Sequence, residues 1–556
     1  MAAERVDPEL PPARHHWRWH LGAVAIYTTL SVLILDHGAS ITNHVLGIGS
    51  DPYLFMWCLA WWPWAITHHL NPLFTNLVWQ PTGIHLAWTT CIPLLALLAA
   101  PITLAYGPAA SFNILTIISP VLAAYCAYLL CFRLTQKQAA SLIGGYLFGF
   151  SSFQMSECLE ELNLQFGFVI PLLLLLAINR LEGRVSRRVS VILATLLLAV
   201  EFYISVEIFA TTVFFGAIAW LLAYSTLAQN RIVLRHFLLD AVTALVLTTI
   251  LVFPQLISML LVRDVVVPKS WVFVTSAHFF NLIVPSAETI LSDPALHPLS
   301  YSLFGLVPEY DVTTGLPLIC VLYLCARESG RLPVIRLSYW MLFIILVASL
   351  GPQLWWGREL TKIVMPWRLL IDMPFISSAL TTRFAVYVSL IIAVLTAYWV
   401  AKTSARPRAK LALGLLACGL LLPQIHSVKP LPVSRFFASG HVQQVLGKQV
   451  KLLILPGRTQ DPSPLWQVED NFGFSHTRGF LGVPTQAMMA YPAIVYMSFG
   501  LMPRHLDADM KSLCLQTNTQ YVIAGPDTSP ELMRLMNNLG WLQRQVDDVT
   551  IFTVVN

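Results

Sequence analysis

Long apolar runs constrain this chain more than any other feature of its sequence. Twelve of them approach spanning length, and short clusters of Lys and Arg stand between many of them. A helix needs about 20 apolar residues to cross a bilayer, and only helices and closed barrels satisfy their backbone polar groups there. Charged residues make up 11% of the 556 residues, against about 25% in a soluble domain. The sequence therefore predicts an all-α polytopic membrane protein.

The basic clusters predict how the chain crosses the bilayer. They lie near residues 14–18, 133–137, 180–188, 231–235, 327–336 and 402–410. Lys and Arg in short loops collect on the cytoplasmic side, so an even number of spans should separate neighbouring clusters. This pattern indicates membrane orientation rather than nucleic-acid binding. It predicts about eleven transmembrane helices, at residues 21–35, 112–132, 139–153, 166–181, 189–204, 206–225, 236–262, 313–326, 337–350, 384–401 and 410–425.

The same parity rule divides the chain into parts. The apolar run 91–106 must not cross, and the amino terminus is predicted to be cytoplasmic. Residues 1–426 form the predicted transmembrane domain, and short β-type runs after residue 430 predict a soluble α/β domain over 427–556 on the periplasmic side. The predicted outer loops of the transmembrane domain are 37–111, 154–165, 263–312 and 351–383.

The first outer loop contains one isolated carboxylate, Asp51, just before a tryptophan-rich stretch. Trp57, Trp61 and Trp64 stand at helical spacing, and Pro52 suits a first helical turn. We therefore predict an amphipathic helix on the membrane surface with Asp51 as its N-cap. A lone carboxylate at the acyl boundary is costly and usually functional. The alternative is that Asp51 serves only as a helix cap.

The second outer loop carries three acids in the sequence QMSECLEELNLQ. Glu157 lies three and four residues before Glu160 and Glu161, so one helical face would hold Glu157 with each of them. Such a cluster could bind a divalent cation or hydroxyl groups. A short solvated acidic loop would explain the same pattern.

Two more acids interrupt apolar spans in the sequence EFYISVEIF. Glu201 and Glu207 are expensive to bury alone, so both should face the interior of the helix bundle. Either they take part in the chemistry, or they pair with Arg263, Arg368 or Arg383 for structural reasons. Both interpretations stay open.

The last outer loop of the transmembrane domain carries basic residues against the positive-inside bias: Arg358, Lys362, Arg368 and Arg383. Cations on the outer side suggest an anionic ligand, and the arginine fork suits phosphate. The alternative is that these long side chains reach out to the interface around a re-entrant segment.

Several stretches make the chain resemble the C-type (GT-C) polytopic membrane glycosyltransferase superfamily, and within it a bacterial group of membrane proteins described as glycosyltransferases. These stretches are SDPYLFMWCLAWW, NPLFTNLVWQPTG, GGYLFGFSSF, MPWRLLIDMPFISSALTTRF and LWQVEDNFGF. Members of the superfamily take a sugar from a polyprenyl-phosphate carrier on the outer face. Their first outer loop carries a carboxylate, which Asp51 matches, and Glu157, Glu160 or Glu161 could match the second acid. The Asp-X-Asp motif of the metal-dependent members does not follow the first span, so the metal requirement stays open.

The resemblance implies a hexosyl- or pentosyltransferase in a bacterial inner membrane, which we expect to invert the anomeric carbon. Asp51 would be the general base, with Glu157, Glu160, Glu161 and Glu207 as candidates for a second acid. The donor phosphate would lie on Arg358, Lys362, Arg368 and Arg383. The acceptor would be an envelope glycan, lipid or protein, and no nucleic acid would bind. No cofactor is certain, although a divalent cation could take part. The alternatives are a flippase for a lipid-linked saccharide and a non-catalytic part of a polysaccharide assembly machine.

Overall fold

The computed structural model describes residues 16–262, 269–278, 280, 283–284, 289–290, 314–373, 376–377, 379–402, 406–438, 440–457, 460–482 and 484–555. Most of the predicted outer loop 263–312, with Arg263, lies outside these residues.

Helices dominate the described chain, and each of the eleven predicted spans overlaps at least one of them. From the amino terminus, α1 to α12 are His16–Ser31, Asp51–Thr67, Pro93–Tyr106, Pro108–Thr135, Gln138–Gly149, Ser152–Glu160, Val169–Leu181, Arg187–Ile204, Val206–Thr226, Arg231–Leu251, Phe253–Leu261 and Lys269–Val274. Next, α13 to α16 are Leu316–Ser329, Pro333–Ser349, Ala385–Ala401 and Pro407–Leu420. Toward the carboxyl terminus, α17 to α21 are His441–Leu446, Ser463–Glu469, Pro492–Ser498, Leu506–Gln516 and Pro530–Asn538.

Five stretches of helix in the described chain are long and apolar enough to cross a membrane. They are Trp17–Asp36, Pro108–Thr135, Val206–Thr226, Ala228–Leu251 and Thr381–Ala401. The other predicted spans correspond to helices that are shorter, interrupted or more highly charged. The chain is therefore a multi-pass membrane protein, and eleven crossings stays a prediction.

Small residues let the central helices approach closely. Gly145 and Gly149 of α5 face α1 and α4, where a Cβ on Gly149 would overlap Ala124 and a Cβ on Gly145 would overlap the Tyr27 hydroxyl. Helix contacts in membranes rely on such close packing, because lipid offers no hydrophobic drive between helices. Helices α4, α5 and α15 thereby pack closely against one another at the centre of the bundle.

The carboxyl-terminal part contains a mixed five-stranded sheet. Its strands are β7 to β11, at Lys451–Ile454, Ser475–His476, Tyr521–Ala524, Leu542–Val546 and Val549–Thr553. Their order is β10-β11-β9-β7-β8, where β7 runs parallel to β8 and β9, and β11 runs antiparallel to β9 and β10. Elsewhere there are three short two-stranded pairings: β1 with β6, His44–Val45 with Lys429–Pro430; β2 with β3, Phe74–Thr75 with Ile84–His85; and β4 with β5, Gln353–Trp356 with Glu359–Val364.

The tryptophan-rich helix α2 is buried on all sides, so the prediction that it is amphipathic is wrong, and its position at the membrane surface stays a prediction. Thirteen of its 17 residues are buried, and it packs against α3, α4 and α18. Trp57 donates a hydrogen bond from Nε1 to Oε1 of Gln467 at 2.8 Å. After Asp51 the helix carries no charged residue, and a helix that is apolar on every side is buried rather than amphipathic.

Backbone hydrogen bonds join the first outer loop to the carboxyl-terminal sheet. His476 of β8 donates from its N–H to the Leu77 carbonyl at 2.7 Å, and Gln80 donates from its N–H to the His476 carbonyl at 3.2 Å. Gln467 also donates from Nε2 to the Leu77 carbonyl at 3.0 Å. One buried apolar cluster contains side chains of α2, such as Trp57, and of the sheet, such as Leu453. The carboxyl-terminal part is therefore attached to the first outer loop through β8 and to α2 through α18.

Candidate active site

A cavity of about 750 Å³ opens among those ends of the helices that the sequence predicts to lie on the outer side. Its walls come from the start of α2, the segment before α3, the α6–α7 connection, the α8–α9 turn, α11, α12 and the segment before α15. The carboxyl-terminal part closes one side through residues 480–482, 484 and 498–499. Segments that are far apart in sequence thus meet at one place.

Asp51 lines this cavity from the first residue of α2. The N-cap is Ser50, so the predicted cap role of Asp51 is wrong by one position. The Ser50 hydroxyl accepts a hydrogen bond from the Asp461 N–H at 2.8 Å instead of capping its own helix. On the other side, Ile48 donates from its N–H to the Leu159 carbonyl of α6 at 2.9 Å. Contacts from two distant segments therefore hold the residues just before Asp51.

Arg383 and two of the predicted acids form an ion-pair cluster on the same cavity. Its Nη1 bonds Oε2 of Glu207, and its Nη2 lies 3.6 Å from Oε1 of Glu161. The other Glu207 oxygen, Oε1, accepts from the Leu380 N–H at 2.8 Å. For Glu207, the structure confirms one of the arginine pairings considered from the sequence.

Local backbone features place these side chains. A break at Ser205 separates α8 from α9, and the Ser205 hydroxyl accepts from the Ile208 N–H as an N-cap. Glu207 consequently stands in the first turn of α9, where the helix dipole favours an anion. Arg383 lies in the 3₁₀ turn Thr381–Phe384, just before α15.

Glu201 lies behind the cavity rather than on its wall. Its side chain is buried, and Oε1 accepts from the Thr212 hydroxyl at 3.2 Å. The Tyr387 hydroxyl lies 3.0 Å from that of Thr212 and 2.7 Å from that of Thr211. This network ties α8, α9 and α15 together directly behind Glu207 and Arg383.

The other candidate acids are close in sequence but differ in position. Glu157 is buried in α6, and Glu160 ends that helix near Gly49; neither lines the cavity. Within the described part of the chain, no group of three or more His, Cys, Asp or Glu residues has an arrangement that could hold a metal ion. Only Glu161 of the predicted acidic cluster reaches the cavity wall.

The predicted phosphate-binding residues are split in the same way. Arg358 lies at the turn of the β4–β5 hairpin and Lys362 in β5, and both are exposed. Arg368 is exposed as well, with its Cζ 5.1 Å from the centroid of the Phe273 ring. Of the four predicted cations, Arg383 alone lines the cavity as far as the structure describes it.

Sequence analysis did not identify two amide side chains on the cavity wall. Asn163 follows α6, and Gln255 lies in the first turn of α11. Both are buried, and their side-chain oxygens have no hydrogen-bond partner among the described residues. Gln255 had a detectable signal, since it is a lone amide within the apolar run 236–262.

The described wall carries more negative than positive charge. Its charged side chains are three carboxylates, on Asp51, Glu161 and Glu207, and one guanidinium, on Arg383. Three minus one leaves a formal charge of −2. Such a wall favours ligands that donate hydrogen bonds, and Arg383 is the group that can receive an anion.

Solved structures with a similar fold are membrane glycosyltransferases. The archaeal oligosaccharyltransferase AglB from Archaeoglobus fulgidus, in complex with an inhibitory peptide and a dolichol-phosphate, matches 92% of this chain and 70% of its own, at 13% identity and a TM-score of 0.50. Arabinofuranosyltransferase AftD from Mycobacteria matches 97% of this chain at 12% identity and a TM-score of 0.61. This chain covers only 40% of the AftD chain. No protein-family model and no curated protein sequence matches the chain.

The chain therefore has the fold of the C-type (GT-C) membrane glycosyltransferases. The resemblance predicted from its sequence motifs is confirmed. At 12 to 13% identity the likeness is one of fold, and activity has to be argued from the cavity itself.

Proposed function

We propose that this protein is a membrane glycosyltransferase that moves a sugar from a polyprenyl-phosphate-linked donor to an acceptor on the periplasmic face. The acceptor would be an envelope glycan, a lipid or a protein. One observation carries the proposal: Asp51, Glu161, Glu207 and Arg383, from separate parts of the sequence, line one cavity in a GT-C fold. An acid and a cation on a common cavity are what sugar transfer from a phosphate requires.

Asp51 is the proposed general base. An acceptor hydroxyl attacks the anomeric carbon and forms the new glycosidic bond, while the bond from that carbon to the phosphate oxygen breaks. The hydroxyl proton passes to the Asp51 carboxylate, and polyprenyl phosphate leaves with the bonding electrons. Attack from the side opposite the phosphate inverts the anomeric carbon. A positioned base typically contributes about 10²–10⁴-fold to such a step.

Arg383 is the proposed partner of the leaving phosphate. Glu207 and Glu161 hold its guanidinium on the cavity wall, and a pre-positioned cation stabilises charge that develops on a leaving group. We assign Arg358, Lys362 and Arg368 a different task, attraction of the lipid phosphate at the protein surface, because all three are exposed and none lines the cavity.

Two further points support the proposal, one on the donor and one on the acceptor. The AglB structure of similar fold contains a dolichol-phosphate. In our chain the carboxyl-terminal part forms one wall of the cavity. We propose that residues 427–556 act as a periplasmic α/β domain that covers or selects the acceptor. We also propose that the chain crosses a bacterial inner membrane about eleven times, with its amino terminus in the cytoplasm.

The orientation can be tested at the two ends of α4. In a background with Cys320 and Cys418 replaced by Ser, Tyr106→Cys should react with an impermeant thiol reagent added from the periplasmic side, and Lys137→Cys should be protected. Both positions are exposed and flank Pro108–Thr135. Labelling at Lys137 alone would reverse the proposed orientation.

The activity itself is tested with Asp51→Asn. The amide keeps the size of the carboxylate but cannot take the proton, so turnover of a polyprenyl-phosphate sugar should fall by about 10²–10⁴-fold at an unchanged melting temperature. Release of free polyprenyl phosphate in detergent, with a panel of acceptors, is the measurement. Asp507→Asn is the matched control, because Asp507 also stands in a first helical turn but does not line the cavity.

The rival function is transport of the intact lipid-linked saccharide. Detergent abolishes vectorial transport but leaves a transferase competent. If the purified protein turns over no donor with any acceptor, yet moves the intact lipid across liposome membranes, then the transporter replaces the enzyme. Turnover unaffected by Asp51→Asn would remove Asp51 from the mechanism.

A further inference from the structure

Two buried carboxamides on the cavity wall have oxygens without a partner. Asn163 is 3% exposed and Gln255 is 6% exposed. Asn163 Oδ1 and Gln255 Oε1 accept no hydrogen bond from any described residue. More than about 90% of buried polar groups are hydrogen-bonded in folded proteins. Among the described residues, three of this one wall have a buried side-chain atom without a partner, namely these two amides and Trp79 through Nε1, and this grouping needs an explanation.

Other buried carboxamides of the described chain do find partners. Asn113 accepts from the Leu46 N–H at 3.0 Å, and Gln154 donates to the Gln165 carbonyl at 2.8 Å. Gln165 accepts from the Ser119 hydroxyl at 3.1 Å and donates to the Glu157 carbonyl at 3.1 Å. The fold can therefore satisfy a buried amide. The two that it leaves unsatisfied both line the cavity.

A carboxamide both donates and accepts hydrogen bonds, and so does a hydroxyl group. A half-turn of the amide exchanges the places of its oxygen and its nitrogen, because both ends have nearly the same shape. A phosphate could accept only from the amide nitrogen and would leave the amide oxygen without a donor, whereas a hydroxyl group can use either end. The net negative charge of the described wall likewise favours a neutral ligand rich in hydroxyl groups.

We propose that Asn163 and Gln255 bind hydroxyl groups of a sugar and determine which sugar the cavity accepts. This inference rests on the proposed glycosyl transfer and adds specificity-determining residues to it. Asn163 comes from the connection that also supplies Glu161, whereas Gln255 comes from α11. The sugar would thus touch two segments that are not adjacent in sequence.

The central experiment replaces each amide by an apolar side chain of similar size: Gln255→Met and Asn163→Leu. In the ligand-free protein neither change breaks a hydrogen bond of the oxygen, so the melting temperature in detergent should be unchanged or higher. With a polyprenyl-phosphate sugar as substrate, KM should rise about tenfold or more, because a hydroxyl then lies buried without a partner.

Deoxy sugars sharpen the result. Donors that lack one hydroxyl each should be poor substrates for the wild type if that hydroxyl binds an amide. In the matching variant the penalty for the missing hydroxyl should disappear. Hydrolysis of the donor in the absence of acceptor reports on the donor sugar, whereas KM for a glycan acceptor reports on the acceptor. If the variants change donor hydrolysis, the two residues bind the donor sugar. If they change KM for the glycan acceptor, the two residues bind the acceptor sugar.

Gln165→Met is the matched control. It breaks two hydrogen bonds and does not line the cavity, so it should lower the melting temperature without altering the preference among deoxy sugars. A purely structural role of Gln255 or Asn163 predicts the same behaviour for their own variants. The inference is overturned if both cavity variants lose melting temperature like Gln165→Met and keep the wild-type ranking of all sugars.

Failure of the proposed function gives a different result. If the wild type turns over no donor, soluble methyl hexosides and pentosides are added to the ligand-free protein and the melting temperature is measured. Stabilisation that disappears in Gln255→Met or Asn163→Leu supports a sugar site without transfer. No stabilisation by any glycoside, together with no turnover, overturns the sugar site as well.

Discussion

Two arginines with carboxylate partners, the half-buried Arg383 and the buried Arg478, have different surroundings. Arg383 is 12% exposed, bonds Glu207, has Glu161 at 3.6 Å, and lines the cavity. Arg478 is 4% exposed and bonds Asp461, which is 6% exposed, away from the cavity wall. Both are arginine–carboxylate pairs. The comparison suggests that the first serves the ligand and the second serves the scaffold.

The Asp461–Arg478 pair organises the start of α2. Asp461 donates from its N–H to the Ser50 hydroxyl at 2.8 Å, and the neighbouring Gln460 accepts from the Tyr53 hydroxyl at 3.0 Å. Burial alone would raise the pKa of Asp461, but Arg478 beside it and the hydrogen bond from Ser463 hold that pKa below its usual value. A charged Asp461 therefore anchors the segment that positions Asp51.

The largest effect is expected from breaking the scaffold pair. Arg478→Met leaves the Asp461 carboxylate buried and unpaired, which typically costs about 3–5 kcal/mol. The melting temperature should fall, residues 427–556 should become sensitive to protease, and activity should be lost with them. Thermal unfolding in detergent and limited proteolysis are the measurements.

The control removes both charges. Arg478→Met with Asp461→Leu should recover part of the stability, because no unpaired charge remains. Arg544→Met, at an exposed position, should change little. If the Arg478→Met protein is as stable as the wild type, the ion pair between Asp461 and Arg478 does not stabilise the fold.

A smaller effect, on rate rather than stability, is expected at the cavity. Arg383→Ala should lower turnover about a hundredfold or more, since it removes a cation from beside the leaving phosphate. Gln should not restore activity, and Lys should do so only partly, because it lacks the two-pronged contact. Turnover of the polyprenyl-phosphate sugar and the melting temperature are measured together.

Glu207→Gln separates ligand binding from internal pairing. If Arg383 acts only by neutralising Glu207, the double variant Arg383→Ala with Glu207→Gln should regain activity. If Arg383 meets the leaving phosphate, the double variant should stay inactive. If the double variant regains activity, the Arg383–Glu207 pair has a structural role, like the Arg478–Asp461 pair.

The smallest effect depends on pH and comes from His476, next to the scaffold pair. Burial, and then Arg478, lower the pKa of His476 to about 3. Its Nδ1 accepts from the backbone N–H groups of Arg478 and Gly479, at 3.0 and 2.6 Å, so a proton there would face two donors. The unfolded chain titrates near pH 6.5 and binds more protons between those values. Stability is thus complete above about pH 6.5 and falls by up to about 1.4 kcal/mol per pH unit below it.

His476→Asn isolates this effect, because the amide oxygen can accept the same two hydrogen bonds without titrating. Two neighbouring acids have the opposite effect on stability. Burial raises the pKa of Glu469 to about 8 and that of Asp470 to about 6, and an acid with a raised pKa adds stability as the pH falls. Both acids are present in wild type and variant, so the comparison cancels their contribution. The wild type should therefore lose about 2 kcal/mol relative to His476→Asn between pH 6.5 and pH 5. Parallel stability curves over this range would contradict the prediction.

Much of the helical architecture could be predicted from the sequence, because spanning length and the positive-inside bias depend on local composition. Each predicted span overlaps a helix, and motifs such as SDPYLFMWCLAWW indicated the GT-C fold. The predicted amphipathic character of α2 was wrong for an identifiable reason. Its Trp residues do stand at helical spacing, but only the fold reveals that α18 packs on this helix and that Phe472 packs against all three Trp rings.

The candidate site shows the same limit. Composition and charge placed Asp51, Glu161, Glu207 and Arg383 among the candidates by residue type and by their predicted outer location. Only tertiary packing decided that these four share a cavity with Asn163 and Gln255, and that Arg358, Lys362 and Arg368 do not. The physical reason is that charge and hydropathy act along the chain within a few residues. Which side chains meet in one cavity depends instead on contacts between segments hundreds of residues apart, such as the hydrogen bond from Asp461 to Ser50.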